Sequence, residues 1–233
     1  DNTAGGIRFS AVSDSAILSN VINTSGTGIR LYDTSDVLVA VNEMENNTVG
    51  IRDDSSRDTV IRHNDLVNNG ILGVATADSL YRDNDVTGPG GITLQDTDRT
   101  TLTDNGISHA GITVSGRDTR IIDNFVLYAP SDAIQLGTVQ LNRQYAAYNT
   151  TIYDNSLHRS TDHGISTFLA GTDLTITENL ITDTRDVGID VLTDGALITD
   201  NELENTTDGG IYLGASSIPL HNASMTHNTI TDV

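Results

Sequence analysis

The sequence predicts an all-β chain wound as a single parallel β-helix of about ten coils, with about 22 residues in each. Three observations point there. Two short patterns alternate along all 233 residues. Apolar residues recur two apart over short β-branched runs, as in Asp118-Thr119-Arg120-Ile121-Ile122-Asp123-Asn124 and Asp173-Leu174-Thr175-Ile176-Thr177-Glu178-Asn179, which is strand periodicity. Between these runs, Asp, Asn, Ser, Thr and 21 Gly supply turns, and no stretch carries a helical spacing.

The first pattern is a small residue, Ile or Val, a variable residue and an apolar one. It starts at Gly6-Ile7, Gly28-Ile29, Gly50-Ile51, Gly73-Val74, Gly91-Ile92, Gly111-Ile112, Ala133-Ile134, Gly164-Ile165, Gly188-Ile189 and Gly210-Ile211. The second is Asn-x-apolar, at Asn20, Asn42, Asn64, Asn84, Asn105, Asn124, Asn155, Asn179, Asn201 and Asn228. Successive Asn are 22, 22, 20, 21, 19, 31, 24, 22 and 27 residues apart. Leucine-rich repeats have a similar length, but their Leu-x-x-Leu-x-Leu frame is missing. Two or three short strands per coil bury Ile, Leu and Val inward, while the backbone bonds to the coils above and below. An Asn at the same inward corner of every coil can pass hydrogen bonds along the stack through its amide. Asn also tolerates the left-handed conformation that a corner demands. The Gly before each Ile reads as a corner, not as a phosphate loop.

Composition excludes several partners. There are 32 acidic residues against 12 basic ones, a formal net charge of −20; 27 of the acids are Asp, and every basic residue is Arg. Such a chain is repelled by nucleic-acid phosphates and by anionic lipid head groups. No apolar run approaches the ~18 residues of a membrane span. The absence of Cys removes disulfides and thiolate sites, and two Met with six scattered His make a poor copper or zinc inventory. Dense Asp without Lys reads as a surface suited to high salt. Residues 1–233 are expected to form one domain, part of a longer chain, since no capping helix precedes Asp1 and the repeat is still in phase at Val233.

The alternation of Gly-Ile-x-Leu with Asn-x-Ile resembles the parallel β-helix repeats of pectin-lyase-like proteins, alginate epimerases and NosD-type proteins, over essentially the whole chain. The resemblance implies a right-handed coil and a superfamily that includes lyases, hydrolases, epimerases, tailspikes and adhesins. The Tyr-Gly-x-Asp-Pro-His-Glu motif of alginate epimerases is absent. Of the polygalacturonase motifs only Asp162-His163-Gly164 is suggestive.

Stacked coils turn repeat positions into surface rows. Asp83, Asp104, Asp123, Asp154, Glu178 and Asp200 each precede a repeated Asn, a row that either takes a hard cation such as Ca²⁺ or is screened by bulk salt. A second, outward row reads Arg8, Arg30, Arg52, Ala75, Thr93, Thr113, Gln135, Ser166, Asp190 and Tyr212. The Arg at its start either hold an anionic ligand or pair with Asp33, Asp53 and Asp54. The 31-residue interval from Asn124 to Asn155 adds a loop, Gly137 to Tyr148, rich in groups that bind sugar rings. Asp132 and His163, each two residues before an inward Ile, should be neighbours, with Asp162, Asp186 and Asp190 close by.

A His among carboxylates can exchange protons near neutral pH, and Arg with Gln can steady a uronate carboxylate. The expected catalytic set is Asp132, Asp162, His163, Asp186 and Asp190. The expected substrate-binding set is Gln135, Arg143, Tyr145, Tyr148, Arg159 and Arg185. No metal or other cofactor is expected, with calcium the one ion the carboxylates would suit. The partner is a polysaccharide outside the cell or on a cell or virion surface, handled by a lyase or epimerase of anionic glycans. The alternative is a non-catalytic rod, a surface, adhesin or tailspike segment that oligomerises or assembles end to end. Five glycosylation sequons, at Asn23, Asn46, Asn149, Asn205 and Asn222, are no more than chance supplies.

Overall fold

The computed structural model describes residues 6–140, 143–168, 171–214 and 220–233, and within these not the side chains of 139–145. The regular structure is all strand, in three parallel sheets that form a solenoid of about nine turns with about 22 residues per turn. Each coil contributes one strand to each sheet. The second full coil, for example, runs through Thr27–Tyr32 in the first sheet, Ser35–Ala40 in the second and Glu43–Glu45 in the third. No helix among the described residues is long and apolar enough to cross a membrane.

The first-sheet register stacks like on like: Ile29 pairs with Ile7 and Ile51, Ile112 with Ile92 and Ile134, and Ile189 with Ile165 and Ile211. These Ile and the inward residues of the other sheets, such as Ile61, Leu102, Ile121, Ile152, Leu66, Val126 and Ile181, form one continuous core. Alternation along each short strand sends every second side chain outward, so the core needs only about one apolar layer per sheet.

One expectation is corrected. The fourth rung begins at Gly70-Ile71 and not at Gly73-Val74, because Ile71 pairs with both Ile51 and Ile92. Leu72 therefore takes the outward place assigned to Ala75, which instead turns the corner at φ 54°. Gly73 lands on an inward position, where a Cβ would lie 2.8 Å from the Tyr81 hydroxyl. The cause is a polar insertion in the core. Asp53 occupies the inward slot filled by Leu31 on the coil before, is fully buried, and accepts a 3.2 Å bond from Tyr81 Oη.

The repeated Asn form an unbroken ladder from Asn20 to Asn228. Asn105 illustrates the unit. Its amide nitrogen donates to Asn124 Oδ1 at 2.9 Å and to the carbonyls of Tyr81 and Thr103, and its backbone N–H donates to Asn124 Oδ1 at 3.1 Å. Its own Oδ1 accepts from the Asn84 amide and backbone. Each internal Asn thus satisfies a corner that no strand pairing could reach.

The left-handed residue is not the Asn itself but the one before it. Ser19, Val41, His63, Asp83, Asp104, Asp123, Asp154, Glu178, Asp200 and His227 all have φ between 50° and 57°. A second left-handed row lies four residues after each ladder Asn, at Thr24, Asn46, Asn68, Gly88, His109, Tyr128, Arg159, Asp183, Asn205 and Asp232. Asp and Asn relieve this conformation by bonding locally. Among the described residues, fifteen of 26 Asp sit at positive φ, so the carboxylate row beside the ladder has a backbone cause.

Two predictions follow from this core. Asn105→Ala strands the buried donors of Asn84 and should lower the unfolding free energy by about 3 kcal/mol or more, measured by denaturant titration. The Asp53 carboxyl is pushed up to about 6, chiefly by burial. Its stabilising contribution is fully present below the ordinary value of 3.8 and lost as pH rises through about 6. The melting temperature of the wild type should therefore fall, relative to Asp53→Asn, between about pH 4 and pH 7.

Candidate functional site

The corner leading from the third sheet into the first holds the densest group of titratable side chains. On one coil it leaves the strand Ser156–His158 and enters Ile165–Thr167; on the next it leaves Leu180–Thr184 and enters Val187–Val191. Gly164 lets this corner lie close to its neighbours, since a Cβ there would meet the Gly188 carbonyl at 2.6 Å.

Asp132, on the coil before, organises the group. Its Oδ1 accepts from the backbone N–H of His163 at 3.1 Å and from His163 Nδ1 at 2.9 Å, and its Oδ2 accepts from Ser166 Oγ at 2.7 Å. Asp162 Oδ1 lies 3.1 Å from the same Nδ1. With carboxylates on Nδ1, that nitrogen carries a proton, and Nε2 faces Asp190 Oδ2 at 3.6 Å and Asp186 Oδ2 at 3.7 Å.

The hydrogen bond to Asp132 raises the His163 pKa to about 9; burial opposes this, and the charges of Asp132, Asp162 and Asp186 add to it. At neutral pH the ring is an imidazolium whose Nε2–H lies beside Asp186 and Asp190. Burial also raises the Asp162 carboxyl, reinforced by Asp132 and Asp186, and raises that of Asp190 against the pull of His163. Four carboxyls around one cation give a formal charge of −3 when all are ionised. The arrangement pairs an oriented proton donor with carboxylates of heightened basicity, which is the equipment of acid–base catalysis.

All five residues expected to be catalytic come together, whereas the expected binding residues separate into three groups. Gln135 borders the cluster, paired in register with Ser166. Arg159 and Arg185 lie on the same corner just before Asp162 and Asp186, around an open depression of about 390 Å³ that Tyr128, Ser160, Thr161 and Asp183 also line. The long interval forms an antiparallel hairpin, Thr138–Gln140 with Arg143–Tyr145, after which Ala147–Tyr148 rejoins the first sheet beside Gly116 and Arg117. The side chains of Arg143 and Tyr145 lie outside the described residues.

The backbone alone moves the hairpin away from the cluster, because it leaves from the opposite end of the rung that Asp132 precedes. Tyr148 stands seven register positions from the Asp132 row, on the order of 20 Å along the strand direction. Sequence reasoning missed the roles of Ser166 and of Tyr128. The first needed the register, and the second needed the coils aligned on the ladder Asn. Of the leading Arg, Arg30 and Arg52 both pair with Asp54, at 3.1 Å and 2.8 Å.

Comparison with known proteins places the chain. Residues 90–233 match the family model described as right handed beta helix region. The chain belongs to the right-handed β-helix family. Residues 1–136 of this β-helix protein also match the model described as periplasmic copper-binding protein (NosD), and by that match it belongs to that family too. No curated protein matches. Among solved structures, a double mutant of the periplasmic alginate epimerase AlgG is 14% identical with a TM-score of 0.74, covering 97% of this chain and 73% of its own. A tailspike of E. coli bacteriophage HK620, in complex with a pentasaccharide, is 10% identical with a TM-score of 0.76, covering 94% of this chain and 48% of its own. At these identities the likeness is one of fold.

The copper of the second family's name can be tested against the donors. The β-helix has no Cys, and Met44 is buried in the core. The one group of converging donors among the described residues is Asp132, Asp162 and His163, two carboxylates with a single imidazole. Copper prefers sulfur or several imidazoles, so these residues do not fit it, and three donors fall short of the ~six to eight oxygens of a calcium site.

The geometry at His163 carries a direct test. Its stabilisation of the fold is fully present below the ordinary value of 6.5 and lost as pH rises through about 9. Nitrogen-detected NMR of the imidazole should find its midpoint near 9, and Asp132→Asn should return it toward 6.5.

Proposed function

We propose that this right-handed β-helix binds an acidic polysaccharide outside the cell or on a cell or virion surface, and that the cluster around His163 abstracts and returns a proton on a uronate unit. The single observation behind this reading is the Asp132-oriented imidazolium, with Nε2 beside the part-exposed carboxylates of Asp186 and Asp190. A uronate carboxylate accepts that Nε2–H. One of Asp186 and Asp190 then takes the C5 proton, the C5–H electron pair moving into the adjacent carboxylate, where the imidazolium stabilises the charge. Delivery of a proton from solvent water to the opposite face then inverts C5. Alternatively the electron pair forms the C4–C5 double bond as the C4–O bond breaks, the departing oxygen taking a proton from water, and an unsaturated sugar results. Since the cluster is itself negative, Arg159 and Arg185 at its edge offset the charge of the incoming glycan. The proposal uses no cofactor. That solved relatives in fold include an alginate epimerase and a tailspike holding a pentasaccharide is in keeping with it.

A second reading, a non-catalytic rod that oligomerises or joins end to end, is favoured by the Asn ladder, which passes through the rungs bearing the cluster without a break.

The two separate by solvent exchange. Incubating alginate or polygalacturonate with the protein in D₂O should place deuterium at C5, read by NMR, whether the outcome is epimerisation or elimination. His163→Gln should reduce the rate at least about 100-fold, as loss of an acid–base group does. The wild-type rate should fall as pH rises through about 9. A folded wild type that exchanges no deuterium into either polymer leaves the rod.

A further inference from the structure

The corner beside the catalytic cluster carries an irregularity of its own. On seven coils the left-handed position four residues after the ladder Asn is filled by Thr, Asn, Gly or Asp, but on three successive coils it is His109, Tyr128 and Arg159. Bulky side chains are disfavoured there. They are stacked on one another: the His109 and Tyr128 rings lie 5.4 Å apart and 26° from parallel, and the Arg159 guanidinium stands 5.1 Å from the centre of the Tyr128 ring. Arg159 also donates to the Tyr128 hydroxyl and lies 3.7 Å from Asp183. A long, exposed side chain is thus braced by ring, hydroxyl and carboxylate in one position.

The same depression of about 390 Å³ is lined by Arg185, exposed and without an ion-pair partner among the described residues, and by the exposed Thr161, while the Ser160 hydroxyl is buried and donates to the Asp162 carbonyl. A pocket of that size is within the ~300–1,000 Å³ of small-ligand sites. The residues lining the depression carry two Arg against Asp183, next to an acidic cluster and in a protein of net charge −20. Two guanidiniums with the Thr161 hydroxyl are suited to a carboxylate on a ring that carries its own hydroxyls.

We infer that Arg159 and Arg185 form a subsite for a carboxylate-bearing pyranose, with Tyr128 as the positioning residue that holds Arg159 ready. His163 follows Arg159 by four positions, at most ~14 Å of chain, so the subsite holds a sugar near the one presented to His163 on the same polymer. The inference rests on the reading of the partner as an acidic glycan and does not depend on turnover.

The test measures retention of oligogalacturonates and oligomannuronates by affinity electrophoresis at low salt, with neutral dextran oligomers alongside. Arg185→Gln should weaken uronate retention by about tenfold or more, the loss of one charge-assisted contact. Tyr128→Asn should weaken it similarly while melting at the wild-type temperature or higher, because Asn suits the left-handed position better. Arg99→Gln, which removes the same charge from a distant corner, should bind as the wild type does. Uronate retention unchanged in both Arg185→Gln and Tyr128→Asn overturns the subsite while the acidic-glycan reading stands. Equal loss in Arg99→Gln assigns the effect to net charge and also overturns it. Equal retention of dextran and uronate by the wild type overturns the role given to the two Arg. No retention of any oligomer by the folded wild type removes the glycan reading, and the subsite with it.

Discussion

The Asn ladder is the interaction on which the rest of this molecule depends. Strands of two to seven residues pair only briefly before the chain must turn, and at each turn backbone groups would be buried without partners. One amide per coil answers that need: it accepts from the coil before and donates to the coil after and to two carbonyls. Because each Asn is satisfied by its neighbours, the ladder locks the phase of successive coils as well as their spacing. Phase decides which side chains meet on the surface, so the meeting of Asp132, His163 and Asp190 is set in the interior.

The corners also account for much of the unusual composition. More than half of the Asp stand where the backbone turns left-handed, and Asp is preferred over Glu there because its shorter side chain reaches the local backbone. The acidity of the surface is thus partly a by-product of its geometry. It has an electrostatic consequence: a chain so negative repels anionic polymers everywhere except where its few Arg are gathered. Of those Arg, two near the start are tied to Asp54, while Arg159, itself beside Asp183, and Arg185 are grouped next to the His163 cluster.

The fold was legible because its determinants are local and repeated. Both the inward Ile and the ladder Asn can be counted from the sequence, and the offset of two residues from Ile to Asp132 and His163 carried over into a 2.9 Å contact. The fourth rung was misplaced because its cue, Gly before an aliphatic residue, occurs twice within four residues at Gly70 and Gly73, and only the buried Asp53–Tyr81 pair decides between them. That the backbone of the long insertion departs away from the cluster was not legible for a different reason. Proximity in sequence does not say from which end of a rung a hairpin departs. Arg159 was among the expected binding residues, but its bracing was not legible because Tyr128 lies 31 residues away and becomes a neighbour only through stacking.

That hairpin has a wider meaning for how such a molecule changes over time. The chain leaves the first sheet after Leu136 and re-enters it at Ala147 with its pairing to Gly116 and Arg117 intact. The coil concerned is 31 residues long by the Asn spacing and its neighbours 19 and 24, yet the ladder runs through all of them alike. Coil length is therefore free to vary while alignment is not. New surface can be added at such an exit without disturbing the coils on either side, and the scaffold can acquire or shed recognition elements one insertion at a time.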